Sequence, residues 1–357
     1  MPLPLLVQAL QKPQELVACT PAQWEDLIRE ARRTNLLTRV AHDLAELGLL
    51  PRVVSAPRSH FEASLIMAAA QTEVVGREVA NLLEAVAPVD VDIILLKGAA
   101  YLLAGLKAAR GRMFSDIDIL VPTAKLDAVE AALNLRGWST THHNAYDQRY
   151  YRKWMHELPP LRHNARTTVV DVHHAILPLT ARLKPATSKL IAAARPVAGV
   201  DRLRVLCPAD MVLHSATHLF YNEDLSQGLR DLVDLHTLTN QFDSDPDFWD
   251  QLTARADELD LTRPLYYGLR YSAAFLNTSI PERIIHLAER GRPLAPLSRL
   301  MDLLYRRALR PGALSGDFLA AIAREALYIR AHWLRMPPHL LLWHLGYKAI
   351  RREQATT

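Results

Sequence analysis

The sequence predicts an α+β protein in which a central α/β region lies between two helical regions. Three observations predict it. Over residues 1–87 apolar side chains recur at helical spacing, as in Trp24, Leu27, Ile28 and Ala31, the stripe of a helix with one buried face. Over 88–206 short runs of Ile, Val and Leu alternate with helical patterns, which reads as strands joined by helices. Over 207–357 amphipathic spacing returns and continues to the end.

Taken in order, Thr20-Pro21 with Gln23 has the pattern of a capping-box helix start. Residues 51–57 read as a loop, and a long helix over 60–85 leads into the first strand at 92–97. A helix over 99–108, a strand over 113–121 and a helix over 123–136 ended by Gly137 follow. Residues 138–142 and 148–161 read as the strands of a hairpin, 162–166 as a polar turn and 167–174 as a further strand. After Pro208 the helical pattern resumes over 211–221 and 229–239.

Composition sets limits on function. With 50% hydrophobic and 22% charged residues in 357 positions, the chain is an ordinary globular protein with enough length for a large core. No apolar run reaches the ~18–20 residues that span a bilayer, and Met1-Pro2-Leu3-Pro4 lacks a basic leader start, so no integral membrane contact and a cytoplasmic location are expected. Cys19 and Cys207 are far apart, without metal-ligand spacing, and are expected as free thiols. A net charge of +4 does not by itself call for nucleic acid, which is not favoured. From Pro281 onward thirteen Lys/Arg stand against six Asp/Glu; a solvated helical surface is the plainer account than a polyanion, an acidic partner or a membrane surface. The mixed aromatic and basic stretches around His332, Trp333 and Arg335, and from Trp343 to Arg352, read as packed terminal helix.

The chemistry concentrates in Ser115-Asp116-Ile117-Asp118-Ile119-Leu120. Residues i and i+2 leave a strand on the same face, so Asp116 and Asp118 point together. Two carboxylates on one face of a core strand repel and are poorly solvated unless a cation sits between them. Hard oxygen ligands suit Mg²⁺ or Mn²⁺; the alternative is a strand end where both acids meet water. Upstream, Lys97-Gly98 joins a strand to a helix, where N–H groups at a helix start can face a phosphate. Downstream, Asp171 and His173 share a face of another strand by the same period.

The order Lys97-Gly98, then Arg112-Met113-Phe114-Ser115-Asp116-Ile117-Asp118, then Asp171-Val172-His173 resembles the uncharacterised bacterial nucleotidyltransferases of the DNA polymerase β-like superfamily, over roughly 24–238. Ala99 departs from the pattern, standing where the superfamily usually has Ser or Gly. The resemblance implies a nucleotidyltransferase core with a small mixed sheet at 88–206, flanked by helical regions at 1–87 and 207–357. It implies transfer of a nucleoside monophosphate from a nucleoside triphosphate to an unidentified acceptor with release of pyrophosphate. Asp116, Asp118 and Asp171 would be the metal-binding and catalytic acids. Lys97, Gly98, Arg112, Ser115 and His173 would contact the nucleotide; Ser115 would point to the opposite face of a regular strand.

The acceptor is expected to be a hydroxyl or phosphate on a sugar, small molecule, biosynthetic peptide or protein. A catalytically silent nucleotide sensor or scaffold, and a toxin-like enzyme acting on tRNA, are the alternatives. His142, His143, His156 and His163, and the i, i+4 pair His214 and His218, raise a zinc reading, which the missing intervening Glu and the absence of ligand-spaced cysteines argue against. Arg230, Asp231 and Asp234 lie one turn apart on a helix after the core and would either close over substrate or form an ion-pair network.

Overall fold

The structure is a computed structural model and describes residues 3–140, 145–166, 168–311, 317–337 and 339–340. Four helices open the chain: α1 (Leu5–Gln11), α2 (Pro21–Arg33), α3 (Leu37–Glu46) and α4 (Ser55–Val86). The capping box at the start of α2 is formed: Thr20 N–H donates to Gln23 Oε1 at 2.8 Å and Gln23 N–H to the Thr20 hydroxyl at 3.4 Å. Helix α4 begins at Ser55 rather than near 60, because Pro57 falls in its first turn, where no intrahelical N–H is needed.

The middle of the chain holds β1 (Ile93–Leu95), α5 (Lys97–Leu103), β2 (Ile117–Leu120), α6 (Leu126–Leu135), β3 (Trp138–Thr140), α7 (Ala145–Trp154), β4 (Leu161–His163), β5 (Val169–His173), α8 (Thr187–Ala193), β6 (Arg195–Pro196) and β7 (Leu203–Val205). The strands form one seven-stranded sheet in the order β3-β4-β5-β2-β1-β7-β6. Pairs β2–β5 and β1–β7 are parallel and the others antiparallel, so the sheet is mixed.

Several expectations are corrected. Residues 148–161 are not one strand: α7 ends at Trp154 and β4 takes only the last residue of that range. Tyr150 and Trp154 stand one helical turn apart with ring centroids 5.9 Å from each other, and this i, i+4 pairing outweighs the β-propensity of the aromatic residues. The strand expected over 113–121 is ordered as β only from Ile117 to Leu120; Gln71 of α4 bonds both the N–H and the carbonyl of Phe114 at 2.9 Å and so takes the backbone groups a ladder would use. Arg162 and His163 belong to β4, which leaves 164–166 as the turn. Of the strand expected over 138–142, residues 138–140 are β3 and the rest lie outside the described residues. Helix α8 and strands β6 and β7 are too short to carry a readable period in the sequence.

The C-terminal region contains α9 (Pro208–Tyr221), α10 (Gly228–Phe242), α11 (Phe248–Glu258), α12 (Thr262–Leu276), α13 (Glu282–Ala288), α14 (Ala295–Ala308) and α15 (Phe318–Arg335). Helix α9 is buried on almost every face, as the central member of a bundle must be, with α10, α11, α12 and α15 packed around it. The end of α15 is tied back beside the sheet: Arg182 N–H donates to Leu334 O at 2.9 Å and the Thr180 hydroxyl to Arg335 O at 2.7 Å. Cys19 and Cys207 are free thiols. No described helix is long and apolar enough to cross a membrane.

Candidate active site

Strand β1 is wholly buried and runs into α5 through Lys97. Lys97, not Gly98, takes the left-handed backbone conformation there, with φ of 47°, which costs a residue with a Cβ about 1–2 kcal/mol. Its ammonium donates to Asp118 Oδ1 at 3.0 Å. Gly98 serves a different neighbour: a Cβ added there would collide with the Arg112 guanidinium and crowd the Phe114 ring at 3.0 Å. Arg112 is thus laid across α5, and its Nε donates to Asp234 Oδ2 on α10 at 2.8 Å.

The register of the parallel β2–β5 pair sets Asp118 directly beside Asp171, so the two carboxylates leave the sheet on the same face. Asp118 is 5% exposed. Burial by itself would raise its proton affinity, but Lys97 and His173 outweigh that and hold it well below the usual carboxylate range. His173 Nε2 lies 2.9 Å from Asp118 Oδ1, and its Nδ1 lies 3.2 Å from Glu157 Oε2. Burial would lower the His173 imidazole, yet Glu157 and Asp118 raise it above its ordinary value.

At Asp171 the compensation is weaker, with only His173 pulling the other way. Asp171 Oδ1 is buried without a hydrogen-bond partner among the described residues. Burial, then the charges of Asp118 and Glu157, with a smaller push from Asp116, raise its carboxyl to about 7. Asp116 lies just before β2 and is exposed, with the Ser115 hydroxyl donating to its Oδ1 at 3.0 Å. A buried, unpartnered carboxylate oxygen beside a second carboxylate offers hard oxygen donors, but Asp116 stands on the exposed approach to β2, and the three acids are not among the described groups whose ligand atoms lie within 4.8 Å of one another.

Asp118, Asp171, Lys97 and His173 line one end of a cavity of about 350 Å³. Tyr150, Tyr151 and Met155 from α7 and the turn after it, Thr217, His218 and Tyr221 from α9, and Arg335 from the end of α15 form other walls. Burial and then Lys97 lower the His218 imidazole, while Asp231 Oδ2, 3.5 Å from its Nδ1, works the other way. Asp231 also accepts from Arg230 at 2.7 Å. Together with Arg112 and Asp234 these side chains form the ion-pair network behind the cavity.

The model of one protein family, described as uncharacterised nucleotidyltransferase, matches residues 20–277. The chain belongs to that family. No curated protein and no solved structure matches it. In this chain the cavity brings together Lys97, Asp118, Asp171 and His173, while Asp116 and Ser115 sit on the exposed approach to β2, and Gly98 and Arg112 pack against each other outside the lining. Glu157, Tyr150, Tyr151, Tyr221 and Arg335 are lining residues that the sequence did not single out for this site. The one available signal was the i, i+4 spacing of Tyr150 and Trp154; nothing local marks Arg335. His142 and His143 lie outside the described residues, and His163 packs its ring edge-on against Trp138 at 4.8 Å.

Proposed function

We propose that this nucleotidyltransferase moves a nucleoside monophosphate from a nucleoside triphosphate to a hydroxyl or phosphate acceptor, releasing pyrophosphate, in a core of the DNA polymerase β-like kind. The observation that carries the reading is the weakly compensated Asp171 carboxylate set in register beside Asp118 on a cavity wall. Asp116, Asp118 and Asp171 would hold Mg²⁺ or Mn²⁺, which when bound neutralises triphosphate charge and favours attack at the α-phosphorus. Lys97, already in the cavity, offers an ammonium to the phosphate oxygens. His173 fixes the Asp118 carboxylate through Nε2. Asp171 would either join a second metal or take the proton of an acceptor hydroxyl. Tyr150, Tyr151 and Tyr221 supply ring surface for a base or an acceptor on the other walls.

A nucleotide sensor is the second reading, and one observation favours it: Lys97 and His173 already neutralise Asp118. Asp171→Asn separates the two. In the enzyme it should bind nucleoside triphosphate within a few-fold of wild type, by calorimetry with Mg²⁺, yet transfer label from the α-phosphate at least ~100-fold more slowly, the scale of losing a general base. Wild type that binds but labels no acceptor in extract of its host would favour the sensor. Undiminished transfer by Asp171→Asn would remove Asp171 from the chemistry, and triphosphate affinity indifferent to Mg²⁺ would remove the metal.

A further inference from the structure

The segment before β4 is clamped against the end of β5. Leu158 N–H donates to Val172 O at 2.9 Å, His174 N–H donates to His156 O at 2.8 Å, and Glu157 pairs with His173 as an isolated antiparallel bridge. The backbone thereby fixes three potential ligand side chains, His156, Glu157 and His173, in one patch of the cavity wall. Each offers one ligand atom, and these atoms lie within 4.8 Å of one another. Glu157 Oε2 sits between the imidazoles, 3.2 Å from His173 Nδ1 and 3.9 Å from His156 Nε2.

Three ligands around a tetrahedral ion at roughly 2.0–2.1 Å stand roughly 3.3 Å apart, so these spacings are close to those of a coordination shell. Two further observations point to a ligand. His173 is 3% exposed, and its Nδ1 has no aligned hydrogen bond among the described residues despite the nearby carboxylate. Moreover, His173 turns Nε2 to the Asp118 carboxylate and leaves Nδ1 for the cluster, the carboxylate–histidine arrangement that sets the tautomer and orientation of a metal-bound imidazole. Two nitrogen donors and one oxygen favour a borderline ion over Mg²⁺.

We infer that His156, Glu157 and His173 form a second cation site, distinct from the carboxylate site, that takes a Zn²⁺-class divalent ion without nucleotide. Three protein ligands leave a fourth position toward the cavity. Ion binding requires His173 Nδ1 and His156 to be unprotonated and releases any proton held there. The ion would brace His173 and, through it, Asp118. The site does not depend on nucleotidyl transfer, since its ligands and its test involve neither triphosphate nor acceptor.

The test uses the full chain, stripped with EDTA and titrated with Co²⁺ in the absence of nucleotide. One equivalent should give the intense visible bands of low-coordinate, imidazole-bound Co²⁺, which Zn²⁺ abolishes and excess Mg²⁺ leaves. His156→Gln and, separately, Glu157→Gln should each weaken Zn²⁺ binding at least ~10-fold, while Asp116→Asn keeps both the bands and the affinity. Circular dichroism and urea midpoints establish that each variant is folded. The inference is overturned by a wild type without the bands, by His156→Gln and Glu157→Gln that keep wild-type affinity, or by Asp116→Asn that loses as much as they do, which would put the ion in the carboxylate site.

Discussion

Replacing Asp171 by Asn removes a charge that the fold holds at a cost. The Asp171 carboxyl is raised from its ordinary 3.8 to about 7 by burial and by Asp118 and Glu157. Each tenfold change in proton affinity is worth about 1.4 kcal/mol, so the ionised group destabilises the native state by at most about 4 kcal/mol. The side chain is partly open to the cavity, water relieves some of this, and about 2 kcal/mol is expected. The sign follows from linkage. A carboxyl raised on folding contributes no penalty below about pH 4, where both states are protonated. The penalty grows as pH rises from about 4 to 7 and is complete above that. Asn has no such titration, so the variant should match wild type near pH 4 and exceed it by about 2 kcal/mol at pH 8 in metal-free buffer. Urea denaturation at the two pH values, with EDTA present, measures the difference. A variant less stable than wild type at pH 8, or a difference that does not grow with pH, would refute the weakly compensated carboxylate. A gain in stability accompanied by lost transfer is the pattern of a residue kept for chemistry rather than for the fold.

Restoring Mg²⁺ at a hundredfold over its dissociation constant should stabilise wild type by about 2.7 kcal/mol and Asp171→Asn by less than half as much; equal rises in Tm by calorimetry would argue against Asp171 as a ligand. Gly98→Ala should drive the Arg112 guanidinium from the place it occupies over α5 and break its buried pair with Asp234, a loss of about 3 kcal/mol read as a lower urea midpoint, and an unchanged midpoint would show that Arg112 has another home. Burial, and then Arg39, lower the His236 imidazole from 6.5 to about 4. Its stabilising effect is therefore full above about pH 6.5 and is lost as pH falls toward 4. His236→Gln should flatten that part of the stability profile, and a slope that survives the substitution would assign the acid sensitivity to other groups.

Much of the frame was legible because it rests on local rules. The Thr20 capping box, the long helix before β1 and the glycine ending the helix before Trp138 are set by residues within one turn of each other. That Asp171 and His173 share a face of one strand follows from the pleat alone. Tertiary structure decided the rest, since it turns on which segments meet. The β2–β5 register, and not the spacing of any motif, puts Asp171 beside Asp118. Arg112 reads equally well as a phosphate contact or a surface charge until α10 brings Asp234 to it across 122 positions. His156 and Glu157 carry no metal-ligand spacing with His173; the backbone bridge between two strand segments makes them neighbours. Arg335 reaches the cavity because Thr180 and Arg182 hold the end of α15 there. Periodicity reports the face on which a side chain stands, but the charge that compensates it, or fails to, comes from chain segments far away in sequence, and their arrival is a property of the packed fold.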